Sequence, residues 1–232
     1  MIFWDDFGLP VDRTMDGGDS AMRAGMLATF SSIRVADRYE KNGICVRHIA
    51  DYPWNNPWNF SRDQMIPLVS GLYFAGKFKA VRRIFWRSVF RLFFAQNFER
   101  DYPGTTKLPW PHKFINDKFR VEKRLFDFAD PLAPDHIWHL IKCGRLWPLY
   151  PFAVIGLPWF VLSMALHGRS KHRERNQIIC MAMAQGPWAV KLFTKLVPSW
   201  ERDVRWYWDS RKESKYADVI CERIKAIQGG KV

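Results

Sequence analysis

The sequence predicts an all-α protein built from helical hairpins in a single domain, residues 1–232. Apolar residues recur with the helical period in segment after segment, and the alternation that marks β-strands is almost absent. With 48% apolar and 16% aromatic residues, the chain can bury a core of its own. The same composition excludes the disordered class of protein.

The first half of the chain is predicted to hold three long helices. The first, over residues 20–33, carries small residues at Ala21, Ala24, Gly25 and Ala28, which allow close packing against a neighbouring helix. A short strand or loop at residues 44–46 then leads into a connection rich in Pro, Trp and Asn. A second helix is expected from residue 61 to about 78 and a third over 80–98, followed by an irregular loop at 101–117.

The second half is predicted to be helical in seven further segments. These are residues 119–128, 135–143, 152–167, 173–187, 188–196, 199–209 and 215–227. Residues 148–167 contain no Asp, Glu, Lys or Arg, and two interpretations are open. The stretch is either a buried core helix, which the three prolines within it favour, or a membrane span followed by a basic flank.

The formal net charge of +13 indicates an anionic partner, which could be a nucleic acid, a lipid surface or an acidic polymer. The third helix adds a basic stripe whose members recur every four residues: Lys79, Arg83, Arg87 and Arg91. Such a stripe is a solvated face or a contact surface for a membrane or for phosphates. Nucleic-acid binding therefore stays open beside glycan binding.

The sequence predicts neither a metal nor a cofactor. The four cysteines lie far apart, so zinc is not indicated and disulfides are not required. Asp12, Asp16 and Gly17 resemble the start of a calcium loop, but Arg23 stands where that loop needs glutamate. Phosphate-loop and dinucleotide fingerprints are missing from the sequence. The acidic start of the chain is unlike a signal peptide, and we expect a cytoplasmic or virion-associated protein.

Two polar helix entrances, at residues 15–23 and 53–64, carry the candidate site. In the first, the Gly17-Gly18 turn precedes Asp19, and either Asp16 or Asp19 can cap the following helix. In the second, Ser61 and Gln64 have the spacing of a capping box. Capping alone explains part of each entrance but leaves the neighbouring Trp, Asn and Arg residues unexplained.

These residue types are suited to gripping a polyhydroxylated ligand, because indole rings stack on sugars and polar side chains hydrogen-bond hydroxyls. The predicted catalytic residues are the carboxylate pair Asp19 and Asp63, with His48 as a general acid or base. The predicted substrate-binding residues are Asp16, Arg23, Arg47, Trp54, Trp58, Asn59, Arg62, Gln64 and His112. The site thus lies mainly within residues 1–117, and it requires the two entrances to meet at one concave pocket.

The motifs that carry a family resemblance are Asp16-Gly17-Gly18-Asp19-Ser20 and Trp58-Asn59-Phe60-Ser61-Arg62-Asp63-Gln64. Helical hairpins with such entrances resemble the (α/α) toroids of glycoside hydrolases and polysaccharide lyases. The two motifs cover less than a third of the chain, and the overall pattern is also similar to uncharacterised helical proteins encoded by bacteriophages.

The toroid resemblance implies a reduced toroid that cleaves or binds a bacterial polysaccharide or another anionic glycan. In a lyase, His48 or His112 would remove a proton while Arg23, Arg47 or Arg62 neutralises a uronate carboxylate. The alternative is a noncatalytic phage structural protein or a peripheral membrane protein, in which the same loops serve only as a docking surface.

Overall fold

The computed structural model describes residues 1–49, 60, 62–90, 134–154, 156–167 and 172–230, and it is mostly helical there. This confirms the predicted all-α class. In chain order the α-helices of these ranges are α1 (Ser20–Phe30), α2 (Arg62–Phe74), α3 (Phe78–Phe90), α4 (Pro134–Gly144), α5 (Tyr150–Ala153), α6 (Gly156–His167), α7 (His172–Gln185), α8 (Pro187–Leu196), α9 (Trp200–Ser210) and α10 (Ser214–Gln228). Short 3₁₀ turns occupy Ala36–Tyr39 and Trp147–Leu149.

Two small antiparallel strand pairs accompany the helices. Strand β1 (Phe3–Trp4) pairs with β2 (Pro10–Val11), and β3 (Glu40–Lys41) pairs with β4 (Ile44–Cys45). The second pair is a tight hairpin, since Asn42 and Gly43 between its strands both have positive φ, the conformation that two-residue hairpin turns favour. The short strand or loop predicted at residues 44–46 is thus a strand over two residues.

The helix ends have local causes that the periodicity does not reveal. Helix α1 ends at Phe30, before the predicted residue 33, and the Arg34 guanidinium donates to the carbonyl of Ala28 at 2.9 Å. Helix α2 ends at Phe74, since Gly76 then takes a positive φ of 73° and stops the helix. The predicted segments at 91–98, 101–117 and 119–128 lie outside the described residues.

Helices α1 and α2 pack backbone against backbone. A Cβ atom on Gly25 would lie 2.3 Å from the carbonyl carbon and oxygen of Pro67, and one on Gly71 would lie 2.8 Å from the Cα of Gly25. This close approach confirms the predicted role of the small residues of α1. Gln64 contacts Asp19 near the start of both helices, and Gly71 meets Gly25 further along both, so α1 and α2 run in the same direction and do not form a hairpin. The reduced toroid stays a prediction.

Helix α1 is interior to the part of the chain that the structure describes, and all of its residues are buried. Met22 and Met26 pack into a core formed with α7, α8, α9 and α10, which holds Trp208 and Phe193. The small residues on the other side of α1 pack into a second core with α2, α3 and α4. Because α1 contributes to both cores, its polar start is held in a fixed position.

The uncharged stretch 148–167 contributes α5, α6 and part of a 3₁₀ turn. In the described part of the chain, no single helix has both the length and the apolar character of a membrane span. The pair Trp147–Ala153 and Gly156–Ala165 satisfies these conditions jointly but is bent by 64°. Phe160 and Met164 of α6 are fully buried, whereas Trp159 is half exposed. Helix α6 is therefore buried on one side, as the core-helix interpretation predicts, and exposed on the other.

Candidate functional site: a polar pocket at the start of helix α1

The two predicted helix entrances meet at the Gly17-Gly18 turn. The Gln64 side-chain amide, in the first turn of α2, donates to the carbonyl of Gly18 at 2.8 Å and to Asp19 Oδ1 at 3.0 Å. The Arg47 guanidinium donates to the same carbonyl at 2.9 Å and lies 3.6 Å from Asp19 Oδ1. The two entrances therefore meet through the contacts of Gln64 with Gly18 and Asp19, whereas convergence of the predicted residues on one concave pocket stays a prediction. Ser61, the other half of the predicted capping box, lies outside the described residues.

Asp19 occupies the N-cap position of α1, but its carboxylate makes no capping hydrogen bond. Instead Asp19 Oδ2 accepts a hydrogen bond of 2.9 Å from Arg211, in the turn between α9 and α10. Burial raises the pKa of Asp19, but the hydrogen bond and charge of Arg211, with the charges of Arg23 and Arg47, outweigh it and leave the pKa below its ordinary value. Asp19 is therefore a carboxylate that three cations keep ionised.

Arg23 lies one helical turn further along and is fully engaged inside the protein. Its guanidinium donates two parallel hydrogen bonds to Glu213, of 3.0 Å and 2.8 Å, and both side chains are at most 2% exposed. Burial lowers the pKa of Arg23, but the Glu213 carboxylate outweighs this and raises it overall. The bidentate pair fixes the α9–α10 turn against α1.

His48 is buried beneath the same turn. Its Nε2 lies 2.5 Å from Asp5 Oδ2, and its ring packs so tightly on Gly17 that a Cβ there would lie 2.8 Å from two ring carbons. Phe7 covers the ring edge-on at 5.9 Å between centroids. His48 thus supports the turn from the inside, and its side chain is not exposed to solvent.

The loop before α1 is held by two aspartates. Asp12 Oδ1 accepts hydrogen bonds from the backbone amides of Thr14 and Asp16 and from the Thr14 hydroxyl, all within 2.9 Å. Burial raises the pKa of Asp12, but these hydrogen bonds outweigh it and lower the pKa overall. Exposed Asp16 accepts from the Gly18 amide at 2.6 Å. The described residues contain no cluster of three metal-binding side chains, and these carboxylates form turns.

A cavity of about 280 Å³ opens between this loop and the α9–α10 turn. Four cations and two carboxylates line it, namely Arg13, Arg23, Arg211, Lys212, Asp12 and Glu213. The Arg211 guanidinium also lies 4.7 Å from the centre of the Tyr207 ring. In the described part of the chain, Arg13 and Lys212 form no ion pair, and both are exposed at the rim. The pocket therefore presents uncompensated positive charge to solvent.

The structure places the other predicted residues as follows. Asp63 is 7% exposed at the start of α2, next to Gln64. Trp54, Trp58, Asn59 and His112 lie outside the described residues, as does the side chain of Arg62. Of the predicted residues, Arg23 alone lines the cavity within the described ranges, while Asp19 lies behind Arg211.

The basic stripe on α3 is partly neutralised. Arg83 donates to both carboxylate oxygens of the buried Glu40, at 3.1 Å and 2.6 Å. Arg87 reaches the carbonyl of Asn42 at 3.4 Å, Lys79 is exposed, and Arg91 lies outside the described residues. Arg83 therefore serves chiefly to hold the β3–β4 hairpin against α3.

Sequence reasoning missed Arg13, Arg211, Lys212 and Glu213. One signal was available, since Arg23 sits within an apolar helix and a buried guanidinium requires a carboxylate partner. That signal does not identify Glu213, which is 190 residues away in the chain.

Comparison with known proteins yields no relative: no protein-family model matches the chain, and neither a curated protein nor a solved structure is significantly similar to it.

Proposed function

We propose that the chain is a carbohydrate-active protein that binds an acidic glycan in the cavity between Asp12 and Lys212. The observation that carries this proposal is the uncompensated positive charge of Arg13 and Lys212 at the rim of a small polar cavity. The volume of 280 Å³ is close to the lower end of small-molecule sites, about 300–1,000 Å³. That size suits a single sugar residue bearing a carboxylate or phosphate group.

The neighbouring contacts support a preformed site. Arg211 is held by Asp19 and by the Tyr207 ring, and the Arg23–Glu213 pair fixes the turn that carries Lys212. A cation that is already positioned loses little conformational entropy when it binds an anion. In this proposal Arg13 and Lys212 take the anion-binding role that the sequence analysis gave to Arg23, Arg47 or Arg62.

The binding proposal is tested with immobilised bacterial polysaccharides, some acidic and some neutral. We expect wild-type protein to bind uronate- or phosphate-bearing glycans and the double variant Arg13→Gln/Lys212→Gln to bind them about tenfold or more weakly, because charged hydrogen bonds are lost. The control Lys191→Gln/Lys195→Gln removes the same charge from exposed positions on α8 and should bind like wild type.

Equal loss in both double variants would mean that net charge alone drives binding, which overturns the pocket assignment. If no acidic glycan binds more tightly than the neutral ones, the proposal that the ligand is an acidic glycan is overturned. Tighter, steeply salt-dependent binding to DNA or RNA would instead favour a nucleic-acid partner.

The enzymatic form of this proposal uses Asp19 and Asp63 as a carboxylate pair for glycan cleavage. Two observations support this form. Asp19 is kept ionised, and Gln64, the neighbour of Asp63 in the chain, donates a hydrogen bond to Asp19. Product release from a bound glycan should be lost in Asp19→Asn and in Asp63→Asn. Glycan binding should persist in Asp63→Asn, whose side chain does not line the cavity. Unchanged turnover in both variants would exclude these carboxylates from the chemistry.

A further inference from the structure

The second conspicuous surface of the protein is apolar. Five exposed side chains follow one another through the 3₁₀ turn, α5 and α6, and we call them the aromatic face: Trp147, Phe152, Val154, Trp159 and Leu162. Phe152 is 80% exposed and Trp159 is 50% exposed. Trp159 and Leu162 stand three residues apart and so share one side of α6.

The exposure of these side chains is unusual for a helix at a protein surface. Such a helix normally turns charged and polar residues towards water. Here Phe160 and Met164 fill the buried side of α6, while the outer side remains apolar and no Asp, Glu, Lys or Arg occurs from Leu146 to His167. Large apolar side chains exposed in this way indicate an interaction site.

Charge indicates which partner fits the aromatic face. At one edge, Lys142 Nζ lies 5.4 Å from the centre of the Trp147 ring, and the exposed Arg145 stacks on Phe78 at 3.8 Å. A second copy of this chain would bring the same positive charge to the contact, which opposes self-association.

We propose that the aromatic face docks the protein on an anionic lipid bilayer. The Trp147, Phe152 and Trp159 rings enter the headgroup region, where tryptophan is favoured because one end is apolar and the other can hydrogen-bond. Lys142 and Arg145 lie beside them and bind lipid phosphates. This proposal is independent of glycan binding, since the aromatic face and the cavity at α1 share no residue.

Vesicle sedimentation tests the proposal with the full chain. Wild-type protein should sediment with phosphatidylcholine vesicles that contain phosphatidylglycerol, and much less with pure phosphatidylcholine. Trp159→Glu should weaken binding about tenfold, because a charge then enters the headgroup region. The matched control is Trp206→Glu, which makes the same change at an exposed tryptophan on α9 and should bind like wild type.

Phe152→Gln provides a second variant without a charge change, and it should also weaken vesicle binding. Circular dichroism establishes that each variant keeps the helical content of the wild type. Equal binding by Trp159→Glu and Trp206→Glu would overturn the proposal. Protein that stays with the vesicles through an alkaline carbonate wash would overturn it in favour of insertion. A dimer that Trp159→Glu dissociates, without vesicle binding, would assign the face to self-association.

Discussion

The start of α1 and the aromatic face show opposite relations between charge and burial. At the start of α1, charged side chains are drawn inward and paired, so that Arg23 and Glu213 are nearly inaccessible to solvent. Along α5 and α6, apolar side chains such as Phe152 and Trp159 point outward, and neither helix contains Asp, Glu, Lys or Arg. From residue type alone, the charged side chains would be expected at the surface and the apolar ones in the core. Both departures require a specific reason, and for each we infer a binding role.

The largest expected effect comes from breaking the buried pair at α1. Glu213→Gln should lower the free energy of unfolding by about 3–5 kcal/mol, because it leaves the Arg23 guanidinium buried without a counter-charge. Urea denaturation followed by circular dichroism measures this change. Glu201→Gln is the control, since Glu201 pairs with Arg205 and Lys225 at the surface and should cost less than about 1 kcal/mol. Similar losses in both variants would contradict the structural role of the buried pair.

The next effect concerns the packing beneath the polar site. Gly25→Ala should lower the free energy of unfolding by about 1–3 kcal/mol, although alanine is the better helix former, because its Cβ would overlap the backbone at Pro67. Gly144→Ala is the control, since a Cβ there meets its nearest neighbours at 3.4 Å. A Gly25→Ala variant as stable as the wild type in urea would show that α1 and α2 are not in backbone contact.

The fold was predictable where local pattern decides it. Helical periodicity gave the all-α class and the approximate extent of α1, and the small residues of α1 indicated a close helix crossing. The direction of α2 relative to α1 was not predictable, because the connection between them is long and carries no periodic signal. At the end of α1, Arg34 donates to the Ala28 carbonyl and Ser31 donates to the Leu27 carbonyl, contacts that no hydrophobic pattern reveals.

The candidate site was predictable in part for the same reason. Asp19, Arg47 and Gln64 stand in or beside local motifs, and the structure brings them together. Arg211 and Lys212 belong to no motif and become site residues only because the chain folds back onto α1 from its far end. Sequence reasoning detects polar helix starts but cannot tell which distant loop faces them.

A smaller effect should appear when the charge network around Asp19 is titrated. The folded-state pKa of Asp19 is below its ordinary value of 3.8, so its contribution to stability is present above that value and is lost as the pH falls through the folded-state pKa. Asp19→Asn should cost about 1 kcal/mol near neutral pH. The variant should also lose less stability than the wild type on acidification below pH 3.8.

Urea denaturation at a series of pH values measures this difference. Asp6→Asn, at an exposed position near the start of the chain, should follow the wild-type curve throughout. Parallel curves for Asp19→Asn and the wild type below pH 3.8 would mean that the cations around Asp19 do not stabilise its charge.

The smallest effect on stability is expected on the aromatic face, where one exposed and one buried ring occupy adjacent positions of α6. Trp159→Gln should change the free energy of unfolding by no more than about 0.5 kcal/mol, because an exposed side chain gains little from folding. Phe160→Ala, at the adjacent and fully buried position, should cost about 3–5 kcal/mol in the same urea experiment. A large loss in Trp159→Gln would place this ring in the core. A small loss combined with weakened vesicle binding would show that the tryptophan serves recognition and not folding.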